Sequence, residues 1–490
     1  MNARHELELL FKSRLPIIVL ETREEKRALN LLGEMRNELG RGLYQWTITE
    51  GLVSLSFDFA IDDELDEPEK VLAQIKKSNK PGVYVLVDFH PFLNDPVNVR
   101  LLKDIALQYE TMSRTIVLLS HDLVLPKELQ NFATTFSLEL PGREVISEIV
   151  RAVARDWARD NSKQRVQADP KSLDILINNL SGLTASEAKR LAYNAIYDDG
   201  AIREDDMPRI MKAKYDLLNQ NGILHYEYDS ETFSAIGGFL NLKKWLSQRK
   251  HVFHEEQSSL DQPKGIMLLG VQGCGKSLAA KAVAGTWGIP LLRLDVGSIY
   301  NKFHGETERN LRESLSTAEA MAPCVLWIDE IEKGLSISQE DGGTSNRVLA
   351  TLLTWLAENK TSVFMVATAN DIESLPPELI RKGRVDELFF VDLPEQDNRK
   401  TIFEIHLRKR NYDPIHFNIH ELANESEGFS GAEIEQAVVS ALYASKANND
   451  PLSDKMILHE LKSTRSLSVV MAEKITRLRD WAKSRTVSAD

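Results

Sequence analysis

Short apolar runs alternate with longer amphipathic stretches along the whole chain, the pattern of strands buried on both faces and covered by helices. In the first half Ile17 to Leu20, Val83 to Val87, Thr115 to Leu119 and Phe136 to Leu140 predict strands. In the second, Ile266 to Leu269, Leu291 to Leu294, Val325 to Ile328, Val363 to Ala367 and Phe389 to Val391 do so. Each set gives way to helical periodicity, over Arg143 to Ala158 and Lys171 to Lys214, then over Asn398 to Lys409 and Gly431 to Ala447. Asn219 to Glu231, with its Asn/Gly start and mixed polar content, reads as a linker. The predicted class is α/β with helical additions.

The halves answer each other in order. Tyr84-Val-Leu-Val-Asp88 is matched by Val325-Leu-Trp-Ile-Asp329, and Ile116 to Leu129 by Phe364 to Leu379. Phe136-Ser-Leu-Glu-Leu-Pro141 is matched by Phe389-Phe-Val-Asp-Leu-Pro394, and Leu180 to Ala188 by Glu427 to Glu433. Four matches in one order suggest two copies of one domain. Any two α/β domains can also offer such strands by chance.

Composition narrows the function. The 490 residues are 42% hydrophobic and 27% charged, ordinary for a folded chain of about three domains. A net charge of −13 disfavours a protein that grips nucleic-acid backbones over its surface. Two cysteines, Cys274 and Cys324, supply no disulfide framework, and no Cys/His cluster has zinc spacing. Apolar runs fall short of the roughly 18 residues that cross a bilayer, and the acidic first residues do not read as a secretory signal. A cytoplasmic or equivalent compartment is expected.

Gly270-Val-Gln-Gly273-Cys274-Gly275-Lys276-Ser277 follows the strand Ile266 to Leu269 and precedes a helix-favouring run that opens at Leu278. This is the full G-x-x-x-x-G-K-[ST] pattern in its strand-loop-helix setting. Glycines let backbone N–H groups face a β-phosphate, Lys276 would reach the β/γ-phosphates, and the Ser277 hydroxyl would ligate Mg²⁺. About fifty residues on, an apolar strand ends in Asp329 and Glu330. Behind such a loop, Asp329 is placed for the metal and Glu330 for the attacking water. Asn370 ends the next strand, where its amide can orient that water or simply begin an Asn-Asp turn.

These motifs resemble the AAA family of ATPases, in its classical branch of ring-shaped protein remodellers. Ile236-Gly-Gly238 resembles the segment that family lays over adenine, and Leu375-Pro-Pro-Glu-Leu-Ile-Arg381-Lys-Gly-Arg384 its two-arginine motif. Ile405-His406 and Gly428-Phe-Ser-Gly431-Ala432 resemble the nucleotide-facing parts of its helical lid. The resemblance implies ATP and Mg²⁺ as cofactors and a hexameric homo-oligomer. It also implies that Arg384 and Arg381 stabilise transition-state charge on a neighbouring subunit's γ-phosphate. Phe303 and His304 fall where that family carries an aromatic pore loop that grips polypeptide, with His304 in place of the usual aliphatic residue. The alternative there is a buried Phe beside a turn. Gln339 to Ser345 is a candidate second pore loop or plain surface.

The first half departs from this pattern. Its first strand runs into Glu21-Thr-Arg-Glu-Glu25 with no glycine loop, and its later strand ends in Asp88-Phe89-His90 without the catalytic acid. Carboxylates where phosphate would sit predict a degenerate copy that binds no nucleotide. His90 and His121 are expected to bond locally rather than to hold metal.

The expected architecture is therefore two P-loop-NTPase-like (AAA) modules in tandem, each a parallel sheet with flanking helices and a small helical lid. The expected domains are 1–142 and 143–218 for the degenerate module, 219–232 as linker, 233–395 as the ATPase domain, and 396–490 as lid and C-terminal helix. The whole order resembles an AAA-domain family found in cyanobacteria and encoded in algal plastid genomes, which would place the protein in the stroma where plastid-encoded. The leading expectation is a Mg²⁺-dependent ATPase that remodels or threads a protein. An ATP-driven nucleic-acid motor or loader, or a nucleotide-regulated scaffold, are the alternatives.

Overall fold

The computed structural model describes residues 3–55, 59–62, 65–121, 123–161, 164–219, 222–227, 233, 236–254, 260–299, 306–335, 344–381 and 383–490. The chain divides into two compact units, Met1–Lys163 with Leu183–Tyr193, and Gln164–Gly182 with Asn194–Asp490.

In the first unit, β1 (Ile17–Glu21), β2 (Gly42–Thr47), β3 (Gly51–Ser54), β4 (Phe59–Asp62), β5 (Gly82–Val87), β6 (Arg114–Ser120) and β7 (Ala133–Ser137) form a seven-stranded sheet ordered β4-β3-β2-β5-β6-β1-β7. The five strands from β2 to β7 in that order run parallel, while β3 and β4 add antiparallel at the edge. Every residue of β5 and β6 is buried, as continuous apolar runs in a covered parallel sheet require. Val19, Tyr84 and Leu118 belong to one core and Ile18, Val85 and Val117 to another, the alternation expected of the two faces of a sheet.

A short parallel pair, β8 (Gln167–Ala168) and β9 (Ala201–Ile202), lies among the helices that follow. The second sheet comprises β10 (Leu224–Glu227), β11 (Gly265–Gly270), β12 (Leu291–Leu294), β13 (Cys324–Ile328), β14 (Val363–Ala369), β15 (Glu387–Val391) and β16 (Val487–Ser488), ordered β10-β12-β13-β14-β11-β15-β16. Its parallel strands β12-β13-β14-β11-β15 repeat the order of β2-β5-β6-β1-β7. In each sheet the first strand lies between the fourth and the fifth, so the order reverses beside it. Open α/β sheets bind ligands at the carboxyl end of such a switch point.

Several sequence expectations shift. The strand expected at Phe136 to Leu140 is β7, which ends at Ser137, because pairing with β1 aligns Ile17 with Ala133 and Glu21 with Ser137. The helical stretch Lys171 to Lys214 is three helices, Pro170–Leu180, Ala185–Ile196 and Met207–Leu218. The stretch read as a linker carries β10, which pairs antiparallel with β12 and buries Leu224. β2 to β4 and β16 carried no clear apolar signal. Within the second unit, Met211 and Tyr215 join the core that contains Leu292, Leu326 and Met365.

Candidate active site

β11 is buried over its whole length and delivers Gly270 to the switch point, where the loop runs into the helix Lys276–Trp287. Gly270 has φ 143°, and a Cβ there would stand 2.0 Å from the Val391 carbonyl oxygen. Only glycine fits this close approach. Lys276 is 6% exposed, and its amine donates to the Gly270 and Val271 carbonyls at 2.9 and 2.8 Å. Burial pushes its pKa down to about 8 against the pull of Cys274, Glu332, Asp329 and Glu330. The amine is thus held, partly desolvated, beside a set of carboxylates. Burial pushes the Cys274 thiol up to about 12, so it is no thiolate nucleophile. Leu278 is exposed on the helix that follows.

Ser277 Oγ donates to Asp329 Oδ1 at 3.2 Å, joining the loop to the end of β13. Thr368 on β14 donates to the same oxygen at 2.6 Å and accepts the Glu330 N–H at 3.0 Å. Glu330 has φ 48°, a left-handed conformation that this hydrogen bond helps to hold. Asn370 Nδ2 donates to Glu330 Oε1 at 2.8 Å, and Lys333 pairs with Glu330 Oε2. The Asn370 N–H in turn donates to Glu332 Oε1 at 2.9 Å. Glu332 is 6% exposed, its Oε2 is buried without a hydrogen-bond partner among the described residues, and burial raises its pKa despite the Asn370 bond. The hydroxyl of Ser277 and the carboxylate of Asp329 make an oxygen pair of the hard type that Mg²⁺ prefers, so the residues present fit a metal-bound triphosphate.

The helical lid meets the loop from Gly431–Asn448. Its first turn is closed by the reciprocal box of Ser430 and Glu433, and the Ala432 N–H donates to the Gly273 carbonyl at 3.0 Å. Gly273 has φ 76°, and a Cβ there would press Ser430 Oγ at 3.1 Å. His406 lies 3.5 Å from Glu435, whose carboxylate also accepts from Arg410 at 2.9 Å. Burial alone would raise the Glu435 pKa, but the Arg410 hydrogen bond and His406 outweigh it and hold the carboxyl low.

On the base side, Ile236 is buried and Gly238 turns with φ 80°. The next N–H, of Phe239, donates to the Asp490 side chain. Asn241 Nδ2 donates to the Ser488 carbonyl at 3.2 Å, and β16 pairs parallel with β15. The last residues of the chain therefore strap the segment beside the loop.

Ser277, Asp329, Glu330 and Asn370 are thus brought together, with Gly431 and Ala432 on the loop. Arg381 and Arg384 are not. β15 runs parallel to β11 with Val391 beside Gly270 and Glu387 beside Ile266, so the arginines lie beyond the opposite end of the sheet. That separation is roughly 13 Å of strand before the residues back to Arg384 are counted. Arg384 Nη1 instead donates to the Leu353 carbonyl at 2.7 Å, and Arg381 is exposed. Phe303 and His304, and residues 339–343 of the second loop, lie outside the described residues.

Sequence reasoning missed Thr368, Glu332 and Asp490. A lone hydroxyl near the end of an apolar strand and a third acid after the pair were available signals for the first two. Asp490, 251 residues from Phe239, had none.

At the matching edge of the first sheet, Ser120 Oγ lies 2.9 Å from His90 Nδ1, and the His90 and His121 rings meet edge to face at 5.6 Å. Among the described residues, no group of three His, Cys, Asp or Glu side chains is arranged to hold a metal. No described helix is long and apolar enough to cross a membrane.

A glycine loop at a switch point, with paired acids and an amide beside it, defines an AAA-type ATPase. Residues 266–393 match the model of the ATPase family associated with various cellular activities. Residues 3–138 and 144–221 match the N-terminal and second domains of SpoVK-like AAA ATPases. The chain belongs to the ycf46 family of AAA-domain proteins encoded in plastid genomes. It is 37% identical to ycf46 of Trieres chinensis over 99% of this chain and 97% of that one, and 36% identical to ycf46 of Pyropia yezoensis over 98% of each. It is also 30% identical to a proteasome-activating nucleotidase of Aeropyrum pernix over 71% of this chain and 82% of that one.

Proposed function

We propose that the chain hydrolyses Mg²⁺-ATP as a ring-forming homo-oligomer, a hexamer in the AAA pattern, and uses the energy to remodel or thread a protein substrate. The observation that carries this reading is the position of Arg384 and Arg381 at the far end of the sheet from Lys276. Arginine cannot lose its charge and forks onto phosphate oxygens, so a pair distant from its own loop suits a neighbour's γ-phosphate. Within one chain, Lys276 and the loop N–H groups bind the phosphates, Ser277 and Asp329 hold Mg²⁺, and Glu330, oriented by Asn370, takes the proton of the attacking water. The metal supplies charge neutralisation on the phosphate oxygens. Lys333 screens Glu330 and must release it for the base to work.

The first unit, with the same strand order but no glycine loop, is read as a degenerate copy devoted to assembly, recruitment or regulation. A relative named a proteasome-activating nucleotidase favours a protein substrate, and the net charge of −13 disfavours nucleic acid. The compartment is the cytoplasm, or the stroma where the gene is in a plastid.

Complementation tests the shared site. Glu330→Gln keeps the arginines and lacks the base, while Arg384→Ala keeps the base and lacks the arginine. Each alone should be nearly inactive, and mixing them should restore part of the turnover because mixed interfaces carry both groups. Full activity of Arg384→Ala alone, or no recovery on mixing in samples shown to co-assemble, rejects the reading.

A further inference from the structure

β1 ends at Glu21, and the chain enters the helix Glu25–Glu34 through Thr22-Arg23-Glu24. This is the topological place of the loop that leaves β11 and enters the helix Lys276–Trp287. Glu24 is 7% exposed and both of its carboxylate oxygens are bonded. Oε1 accepts the backbone N–H of Ala185, the first residue of the helix Ala185–Ile196. Oε2 accepts from Arg27 Nη1 at 2.6 Å, and the same Nη1 donates to the Glu139 carbonyl at 2.6 Å.

The helix that Glu24 meets begins as its counterpart in the second unit does. Thr184 N–H donates to Glu187 Oε2 at 2.9 Å, and Glu187 N–H donates to Thr184 Oγ1 at 3.3 Å. Ser430 and Glu433 make the same reciprocal box, and just inside it the Ala432 N–H donates to Gly273 O of the glycine loop. One helix start therefore meets a phosphate-type loop, and the other meets a carboxylate.

A buried carboxylate is costly unless it is paired and hydrogen-bonded, and a helix N-terminus is a place where an anion is favoured. Glu24 satisfies both conditions with Arg27 and Ala185. A phosphate brought to the same place would be repelled by it. Because the carboxylate is part of the chain, it cannot be diluted away or hydrolysed.

We infer that Glu24 is a built-in anion that makes, toward the helix Ala185–Ile196, the contact that the Gly273 carbonyl makes toward the helix Gly431–Asn448, clasping the first of these helices to the end of β1 with no nucleotide. The inference rests on the reading of the first unit as a non-binding copy. It makes the first lid helix permanently closed, whereas the helix Gly431–Asn448 stays responsive to nucleotide at the second site.

Hydrogen–deuterium exchange on the full chain tests it, with Glu24→Ala and the near-isosteric Glu24→Gln, each with and without Mg²⁺-ATP. Amides of residues 184–188 should exchange about tenfold faster in Glu24→Ala and by a smaller factor in Glu24→Gln. In the wild type they should ignore ATP while residues 430–434 become protected. If Glu24→Ala does not fold, Glu24→Gln carries the comparison. Unchanged exchange in the folded variants, with one ATP bound per chain, sinks the clasp alone. Binding of more than one ATP per wild-type chain instead overturns the non-binding reading, and the clasp with it.

Discussion

At the carboxyl edge of the second sheet, Ser277, Asp329, Glu330, Thr368 and Asn370 bond into one polar set beside a buried lysine. At the same edge of the first sheet, Ser120 bonds to His90, and the Glu24 carboxylate accepts the Ala185 N–H. Both sheets nevertheless run their five parallel strands in the same order. The frame is held by buried strands such as β5, β6, β13 and β14, of which only the last polar residues, Ser120 on β6 and Thr368 on β14, take part at the edge. Chemistry resides in the few residues at and just past the strand ends, and those can change without disturbing the frame.

The sharpest way to break that contrast is Lys276→Ala. Removing the buried amine should weaken nucleotide binding by the whole chain at least about a hundredfold, read by calorimetric titration. Tight residual binding would mean that the first sheet also holds nucleotide. A smaller loss is expected for Thr368→Val, which keeps the shape and removes both the bond to Asp329 and the acceptor for the Glu330 N–H. Steady-state turnover should fall roughly 10- to 100-fold with nucleotide affinity nearly unchanged.

A pH effect of a few kcal/mol should belong to the second unit, because both buried lysines among the described residues, Lys214 and Lys276, lie there. Burial pushes the Lys214 amine down to about 7, where it donates to the Ser181 carbonyl at 2.6 Å. An unfolded lysine titrates near ~10.4, so between about pH 7 and 10 the unfolded chain binds a proton that the native chain lacks. Stability from this group therefore rises with pH across that window and is flat below it. Lys214→Met should flatten the rise and add about 1–3 kcal/mol at pH 7.5, read by thermal unfolding across pH. A slope unaltered by the substitution would place the effect elsewhere. The smallest change is expected from Ser120→Ala, at the position of the first sheet that corresponds to Thr368. Turnover should move by less than about twofold, within the usual range for a site without a catalytic role. A loss matching that of Thr368→Val would erase the distinction between the two edges.

Much of the second site was legible because its signal is local. Gly270 to Ser277 is one continuous stretch, and Asp329, Glu330 and Asn370 follow strands of unbroken apolar residues. Of the four segments that recur in one order, the first three fall in two sheets whose parallel strands share one order. β2 to β4 were missed because they lie at the sheet's edge side, where Tyr44 and Gln45 are only half-buried and the apolar run is broken. β10 was hidden in a polar stretch because pairing with β12, rather than its own residues, makes it a strand.

Residue order along the chain was enough to specify a glycine loop, paired acids, buried strands and two arginines, since each depends on neighbours within a few positions. Which end of the sheet those arginines occupy, that Thr368 and Glu332 support the acids, that Asp490 straps the segment at Phe239, and that Glu24 meets Ala185 were decided only when the chain folded. Hydrogen bonds and buried charges join atoms by distance in space, and sequence separation carries no information about that distance until strand register sets it.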